Sequence, residues 1–245
     1  MGSICQLLEA MQVNKWINNV LFRYWGENCA LCGSANSKGN LLCQNCLGDI
    51  QDDQPACRRC ALPLHENESL TCGSCQQSPP PYGSVYCFAP YQAPLDRLIW
   101  QFKFRQKLSI GHELGKLMAQ DIERRRLPMP DLLLPVPLHS SRLRQRGYNQ
   151  ALELARPVAK HLNLPLDVSS CTRNRTTSDQ IGLSAKKRAL NLKDAFSVNT
   201  RFHDKRVAII DDVMTTGSTV NELTQQLIRA GVSHVDVWVC ARATL

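Results

Sequence analysis

The sequence predicts an α/β fold in which a parallel sheet carries helices on its faces and follows a small metal-binding module. Three observations support this. From residue 85 onward, apolar segments of strand length alternate with amphipathic helical segments. Eight of the 12 cysteines form four C-x-x-C pairs between Cys29 and Cys75. Near the C-terminus, an apolar strand gives way to two adjacent carboxylates, a hydroxyl-rich turn and a helix. With 245 residues, 43% hydrophobic and 20% charged, the chain has room for one mid-sized domain and a small module. No apolar run approaches the ~20 residues of a membrane span. Glu9, Asn14, Lys15, Asn18 and Asn19 interrupt the start of the chain, so no secretory signal is expected and the cytoplasm is the expected location.

Residues 1–26 place Ile4, Leu7, Leu8, Met11, Trp16, Ile17, Val20, Leu21 and Tyr24 at helical spacing, which predicts an amphipathic helix covering the protein's own core. The cysteine pairs follow in 27–78: Cys29/Cys32, Cys43/Cys46, Cys57/Cys60 and Cys72/Cys75. Two thiolates three residues apart on a tight turn can share one Zn²⁺, and two such turns complete a tetrahedron. Four pairs therefore predict two structural zinc sites of four cysteines each, closed and without a catalytic position. A reducing compartment favours metal over disulfides here. The loops between pairs allow sequential or interleaved pairing, with sequential the default because each unit then closes locally. Gly33 after Cys32 suits the turn, whereas Ala61 after Cys60 would cost roughly 1 kcal/mol if its φ is positive. Residues 76–83, with three consecutive prolines, predict a stiff connector before a second domain over 85–245.

In that domain, strands are expected at 85–89, 132–136, 207–210 and 235–239. Helices are expected near 95–102, 110–126, 149–162 and 218–230. Arg124, Arg125 and Arg126 read as a dipole complement on a solvated helix end.

The most informative stretch runs from Val207 through Ile210, Asp211, Asp212, Val213, Met214, Thr215, Thr216, Gly217 and Ser218 to Thr219. Backbone N–H groups and hydroxyls at a helix N-terminus favour an anion, and Gly217 lets the backbone come close to it. Thr219 and Glu222 have the spacing of a capping box. Carboxylates at the carboxyl edge of such a sheet can accept hydrogen bonds from two ribose hydroxyls or hold a Mg²⁺ that carries a pyrophosphate. The glycine patterns of the Walker A loop and the dinucleotide fingerprint are both absent.

This segment resembles the phosphoribosyl pyrophosphate (PRPP) motif of type I phosphoribosyltransferases. The resemblance implies that Asp211 and Asp212 bind the ribose hydroxyls and that Thr215, Thr216, Gly217, Ser218 and Thr219 bind the 5′-phosphate. Many purine-salvage members carry an acidic residue where this chain has Thr215, which argues weakly against a purine acceptor. Pro135–Leu138, Arg142, Arg146–Gln150, Arg173–Thr176, Gln180, Arg188, Asn191 and Ala195–Phe196 are similar, in order, to the ComF (GntX-like) family of DNA-uptake and DNA-utilisation proteins. Members of that family also carry cysteine pairs before a phosphoribosyltransferase domain. The resemblance covers about residues 27–245, with Tyr148 and Ala61 as small departures.

Charge is uneven along the chain. Residues 1–88 carry five Lys/Arg against seven Asp/Glu, and residues 89–245 carry 24 against 14. A cationic body of this kind favours nucleotides, pyrophosphate or nucleic acid. Arg142, Arg144 and Arg146 follow a strand closely, and their guanidinium forks match phosphate oxygens, so Arg142 and Arg146 are assigned to the pyrophosphate side. Residues 173–188 are expected to form a basic loop that folds over substrate. The resulting expectation is PRPP bound with Mg²⁺, with Asp211, Asp212 and Arg146 serving displacement at C1′ and transfer to an acceptor the sequence does not identify. The alternatives are a non-catalytic PRPP sensor and an adaptor that contacts single-stranded DNA or a helicase-like partner.

Overall fold

A computed structural model describes residues 28–35, 41–51, 54–64, 70–175 and 194–244. The expected N-terminal helix and the basic loop beyond Arg175 lie outside the described residues.

Two short helices, α1 (Gln44–Ile50) and α2 (Gly73–Gln77), belong to the cysteine region. The body then runs β1 (Val85–Pro90), α3 (Leu95–Phe104), α4 (Leu108–Arg124), β2 (Leu132–Pro135), α5 (Ser140–Arg146), α6 (Gln150–Leu162), β3 (Cys171–Arg173), β4 (Phe196–Val198), β5 (Arg206–Met214), α7 (Ser218–Arg229) and β6 (His234–Arg242). One sheet, in the order β1-β6-β5-β2, is parallel throughout, as expected of strands too apolar to face water on either side. A separate antiparallel pair, β3-β4, flanks residues 176–193 in sequence.

The pleat sorts neighbouring residues to opposite faces. Ala208 and Ile210 of β5 join Leu133 in a core with Leu114 and Met118 of α4 and Leu154 of α6. Val207 and Ile209 join Leu134 in a second core with Val220, Leu223 and Leu227 of α7. Helices α4 and α6 approach closely at Gly115, where a Cβ would lie 2.4 Å from Pro157 Cγ and 2.5 Å from the Leu154 carbonyl oxygen. Only glycine permits that contact.

Several expectations change. The central strand does not stop at Ile210. It pairs with β6 as far as Met214 opposite Arg242, so the acidic pair lies within the strand. Neighbour β2 pairs with β5 only to Pro135 opposite Ile210, which leaves the last residues of β5 flanked by a strand on one side. Arg124 and Arg125 are more than a solvated helix end. Arg124 donates to Asp121 Oδ1 at 2.6 Å and Arg125 to Asp121 Oδ2 at 2.7 Å, and Tyr86 adds a hydroxyl at 2.9 Å. Together they compensate a buried carboxylate that would otherwise be costly. The connector is packed: Tyr82 is buried, and the Gly83 N–H donates to the Val235 carbonyl at 2.8 Å. Leu42, Cys46 and Ile50 of the cysteine region share one core with Tyr86 and Phe88 of the body.

Candidate functional site

The cysteines resolve into two sites with sequential pairing. In each set of four, Cys29, Cys32, Cys43 and Cys46, and Cys57, Cys60, Cys72 and Cys75, all sulfur atoms lie within 4.8 Å of one another. The interleaved alternative is thereby overturned. A tetrahedron with Zn–S arms of ~2.3 Å has edges of about 3.8 Å. The Cys32–Cys43 and Cys60–Cys72 sulfurs lie 3.7 and 3.6 Å apart, so both sites fit structural zinc. Each site joins a tight turn to a short helix capped by a cysteine, Cys43 for α1 and Cys72 for α2. The turns are equivalent, with the Gly33 N–H bonded to the Cys29 carbonyl and the Ala61 N–H to the Cys57 carbonyl. Both residues are left-handed, Gly33 at φ 73° and Ala61 at φ 56°, so the alanine does carry backbone strain.

At the carboxyl end of β5 the two carboxylates, on successive residues of the pleated strand, point to opposite faces. Asp212 lies toward α3, where its Oδ2 is 3.0 Å from Lys103 Nζ. Its Oδ1 accepts from the Val213 N–H at 2.6 Å, while Asp211 Oδ1 accepts from the Asp212 N–H at 2.9 Å. Desolvation, reinforced by the Asp212 charge, pushes the Asp211 carboxyl up to about 7, with Lys103 and Arg173 pulling the other way. Burial alone would lower the Lys103 ammonium, but the charge and hydrogen bond of Asp212 outweigh it and the net shift is upward. Sequence reasoning missed Lys103. The available signal was one lysine four residues after Ile99, beside the apolar stripe of Leu95, Leu98, Ile99 and Phe102.

Beyond Met214 the chain turns through Thr215 and Thr216 into Gly217, which caps α7 at φ 78°. A Cβ at Gly217 would lie 2.8 Å from Met214 Cε and 3.5 Å from the Tyr82 hydroxyl, so glycine is required for space as well as for conformation. The hydroxyls of Thr216 and Ser218 are 2.8 Å apart. The first helical bond runs from the Asn221 N–H to the Gly217 carbonyl at 2.9 Å, so the preceding amides lie ahead of the helix ladder. The expected capping box does not form. Thr219 lies inside the helix, and Glu222 Oε1 instead accepts from the Asp194 N–H at 3.0 Å and from Gln226 at 2.9 Å. Glu222 is therefore spent on joining α7 to the residue before β4.

Arg142 and Arg146 lie one helical turn apart on α5, both half-buried, with Arg144 exposed between them. His139 caps this helix, its Nδ1 accepting from the Ser141 N–H at 3.2 Å. The segment leading into α5 is tied to the acidic edge, since the Val136 N–H donates to the Ile210 carbonyl at 2.9 Å and Asn149 Nδ2 to the Val136 carbonyl at 3.0 Å. The Arg146 guanidinium lies 6.0 Å from the ring centre of Phe104, on the α3 side of the edge. Asp212 pairs with Lys103 of α3. Arg173 ends β3, its guanidinium 5.4 Å from the Phe196 ring centre.

Family comparisons agree with this two-part chain. A double zinc ribbon domain matches residues 20–87, and a phosphoribosyl transferase domain matches residues 149–243. The DNA utilization protein YhgH of Escherichia coli K12 is 36% identical over 219 residues, covering 87% of this chain and 96% of that protein. Competence protein F of Haemophilus influenzae is 36% identical over 231 residues, covering 91% of this chain and 100% of that protein. Among solved structures, the glutamine PRPP amidotransferase of B. subtilis aligns with 54% of this chain and 27% of its own, at 21% identity and a TM-score of 0.38. Among the described residues, no helix is long and apolar enough to cross a membrane. With its double zinc ribbon ahead of a phosphoribosyltransferase domain, and identity to those relatives along nearly their whole length, the chain belongs to the ComF family of DNA utilization and competence F proteins.

Proposed function

We propose that the chain binds PRPP with Mg²⁺ at the carboxyl edge of β5 and transfers its phosphoribosyl group to an acceptor during the use of DNA. One observation carries this reading: a carboxylate pair at the end of a buried strand runs directly into a glycine-capped, hydroxyl-rich helix start. The carboxylates can accept two hydrogen bonds from a ribose diol. The amides and hydroxyls of Thr215, Thr216, Gly217, Ser218 and Thr219 can donate to a 5′-phosphate. Arg142 and Arg146, one turn apart on α5, supply guanidinium forks that match the oxygens of a pyrophosphate. Oxygen donors at Asp211 and Asp212 suit a hard cation, and Mg²⁺ bound with PRPP supplies neutralisation of the departing pyrophosphate. The chain's own contribution is orientation and charge placement. The zinc sites, closed by four thiolates each, serve the fold, and reduced cysteines that hold metal suit a cytoplasmic location.

Calorimetric titration with PRPP, with and without Mg²⁺, tests this in the wild type and in the double variant Asp211→Asn/Asp212→Asn. Binding that depends on Mg²⁺ in the wild type and vanishes in the variant supports the site. Equal affinity in the two proteins overturns it.

A second reading, contact with single-stranded DNA, is favoured by the surface of α3. Trp100 and Phe104 are exposed there one turn apart, with ring centres 6.0 Å apart, and Tyr91 is exposed nearby. Arg105 lies 5.4 Å from the Trp100 ring centre, and Tyr91, Arg97, Trp100, Arg105 and Lys107 line a groove of about 570 Å³. Aromatic faces between cations suit unpaired bases and their backbone.

A further inference from the structure

Arg242, the last residue of β6, is 5% exposed. Its Nε donates to the Cys60 carbonyl at 2.8 Å. Its Nη1 faces the carbonyls of Met214 at 3.0 Å and Ala243 at 2.6 Å, and also that of Thr215. One guanidinium therefore holds a ligand residue of the second four-cysteine site and the first two residues of the turn that leads to Gly217.

A second path runs in parallel. Arg59, inside the Cys57–Cys60 turn, donates to the Tyr82 carbonyl at 3.0 Å, and the Tyr82 hydroxyl lies 3.5 Å from where a Cβ on Gly217 would stand. The same metal turn thus bonds to Met214 and Thr215 through Arg242 and reaches the neighbourhood of Gly217 through Arg59 and Tyr82.

Charge makes the first path more than a strut. Among the described residues no carboxylate pairs with Arg242, and its bonds go to neutral carbonyls. A buried cation without a counter-charge is costly. Zinc held by four thiolates leaves a net dianionic site, and Cys60 is one of its ligands. A filled second site would therefore place negative charge on the side of Arg242 that bonds to the Cys60 carbonyl. The first site has a different neighbourhood, because Cys29 and Cys46 pack into the core with Tyr86 and Phe88.

We infer that Arg242 is a positioning residue which couples the second four-cysteine site to the Met214–Gly217 turn, so that loading of that site with metal sets how tightly the turn holds an anionic sugar phosphate. The ligand part of this statement rests on the PRPP reading above, whereas the coupling of metal site and turn does not.

The test uses the full chain with both sites loaded, as wild type and as Arg242→Lys, together with a Cys72→Ser/Cys75→Ser variant. Amide hydrogen exchange is followed over residues 213–221, with α4 and α6 as internal references, and PRPP affinity with Mg²⁺ is measured alongside. Arg242→Lys is expected to retain both metals, to accelerate exchange in 213–221 alone and to weaken PRPP about tenfold. The cysteine variant should reproduce that local acceleration. Coupling is reciprocal, so PRPP should shift the visible absorption of the cobalt-substituted protein, and Arg242→Lys should abolish the shift. Unchanged exchange in Arg242→Lys, or a cobalt shift that survives the substitution, overturns the coupling. If wild type binds no PRPP while turn exchange still responds to both variants, the coupling stands and the PRPP reading falls.

Discussion

The Lys103 ammonium lies 3.0 Å from the Asp212 carboxylate, joining helix α3 to the end of the central strand in a half-buried ion pair. The pair neutralises one of two adjacent acids and leaves Asp211, on the opposite face, to bear the unfavourable charge. Replacing Lys103 with Met should leave Asp212 without its partner, costing about 1–3 kcal/mol of stability. It should also raise the Asp211 carboxyl further. Thermal unfolding and an NMR titration of the Asp211 carboxyl carbon measure the two effects, and an unmoved titration would show that the pair does not tune this edge.

Asp211 predicts a pH dependence of opposite sign to that of an ordinary acid. Its folded pKa, about 7, stands above the ordinary 3.8, so the folded chain holds this proton more tightly than the unfolded chain does. The resulting stabilisation is complete below about pH 4 and is lost as pH rises through 7. Asp211→Asn should therefore flatten the decline in melting temperature between pH 5 and pH 8. Parallel wild-type and variant curves would contradict the assignment.

Two left-handed glycines separate backbone strain from steric exclusion. A Cβ on Gly33 meets nothing within 4 Å, so Gly33→Ala should cost only the conformational penalty, about 1 kcal/mol. A Cβ on Gly217 meets Met214 Cε at 2.8 Å, so Gly217→Ala should cost more and should displace the turn. Denaturant unfolding ranks the two. PRPP titration should register only the second, and equal effects on binding would remove Gly217 from the site.

On the α3 surface, Trp100→Ala and Phe104→Ala should each weaken single-stranded DNA by about 1–3 kcal/mol if bases stack there. Arg105→Gln should mainly reduce the salt dependence of binding. Fluorescence anisotropy with a labelled oligonucleotide across a salt series distinguishes these effects. Wild-type affinity in the Trp100→Ala/Phe104→Ala double variant would exclude this face.

Much of the site could be read along the chain because its chemistry is local. Cysteines three apart must meet at a turn, and the succession from Val207 to Thr219 places carboxylates, hydroxyls and a glycine within a few residues of one strand end. Gly217 could be singled out because it lets the backbone come close to an anion, whereas its left-handed φ of 78° could not, since a helix N-cap is ordinarily extended. The length of β5 could not be foreseen, because its last residues are strand only through their pairing with β6.

Partners distant in sequence follow the same logic. Lys103 reaches Asp212 only once α3 packs on the sheet, and Glu222 leaves its expected cap because Asp194 is brought beside it. Arg242 stands out in the sequence only as a charge at the end of an apolar strand; its tie to Met214 exists because β5 and β6 end side by side, and its tie to Cys60 because the second cysteine turn lies against that end. Short-range spacing thus specifies which groups can do chemistry, while the parallel sheet and the helices packed on it specify which charges compensate one another. Burial makes those charges strong, and burial belongs to the folded chain as a whole.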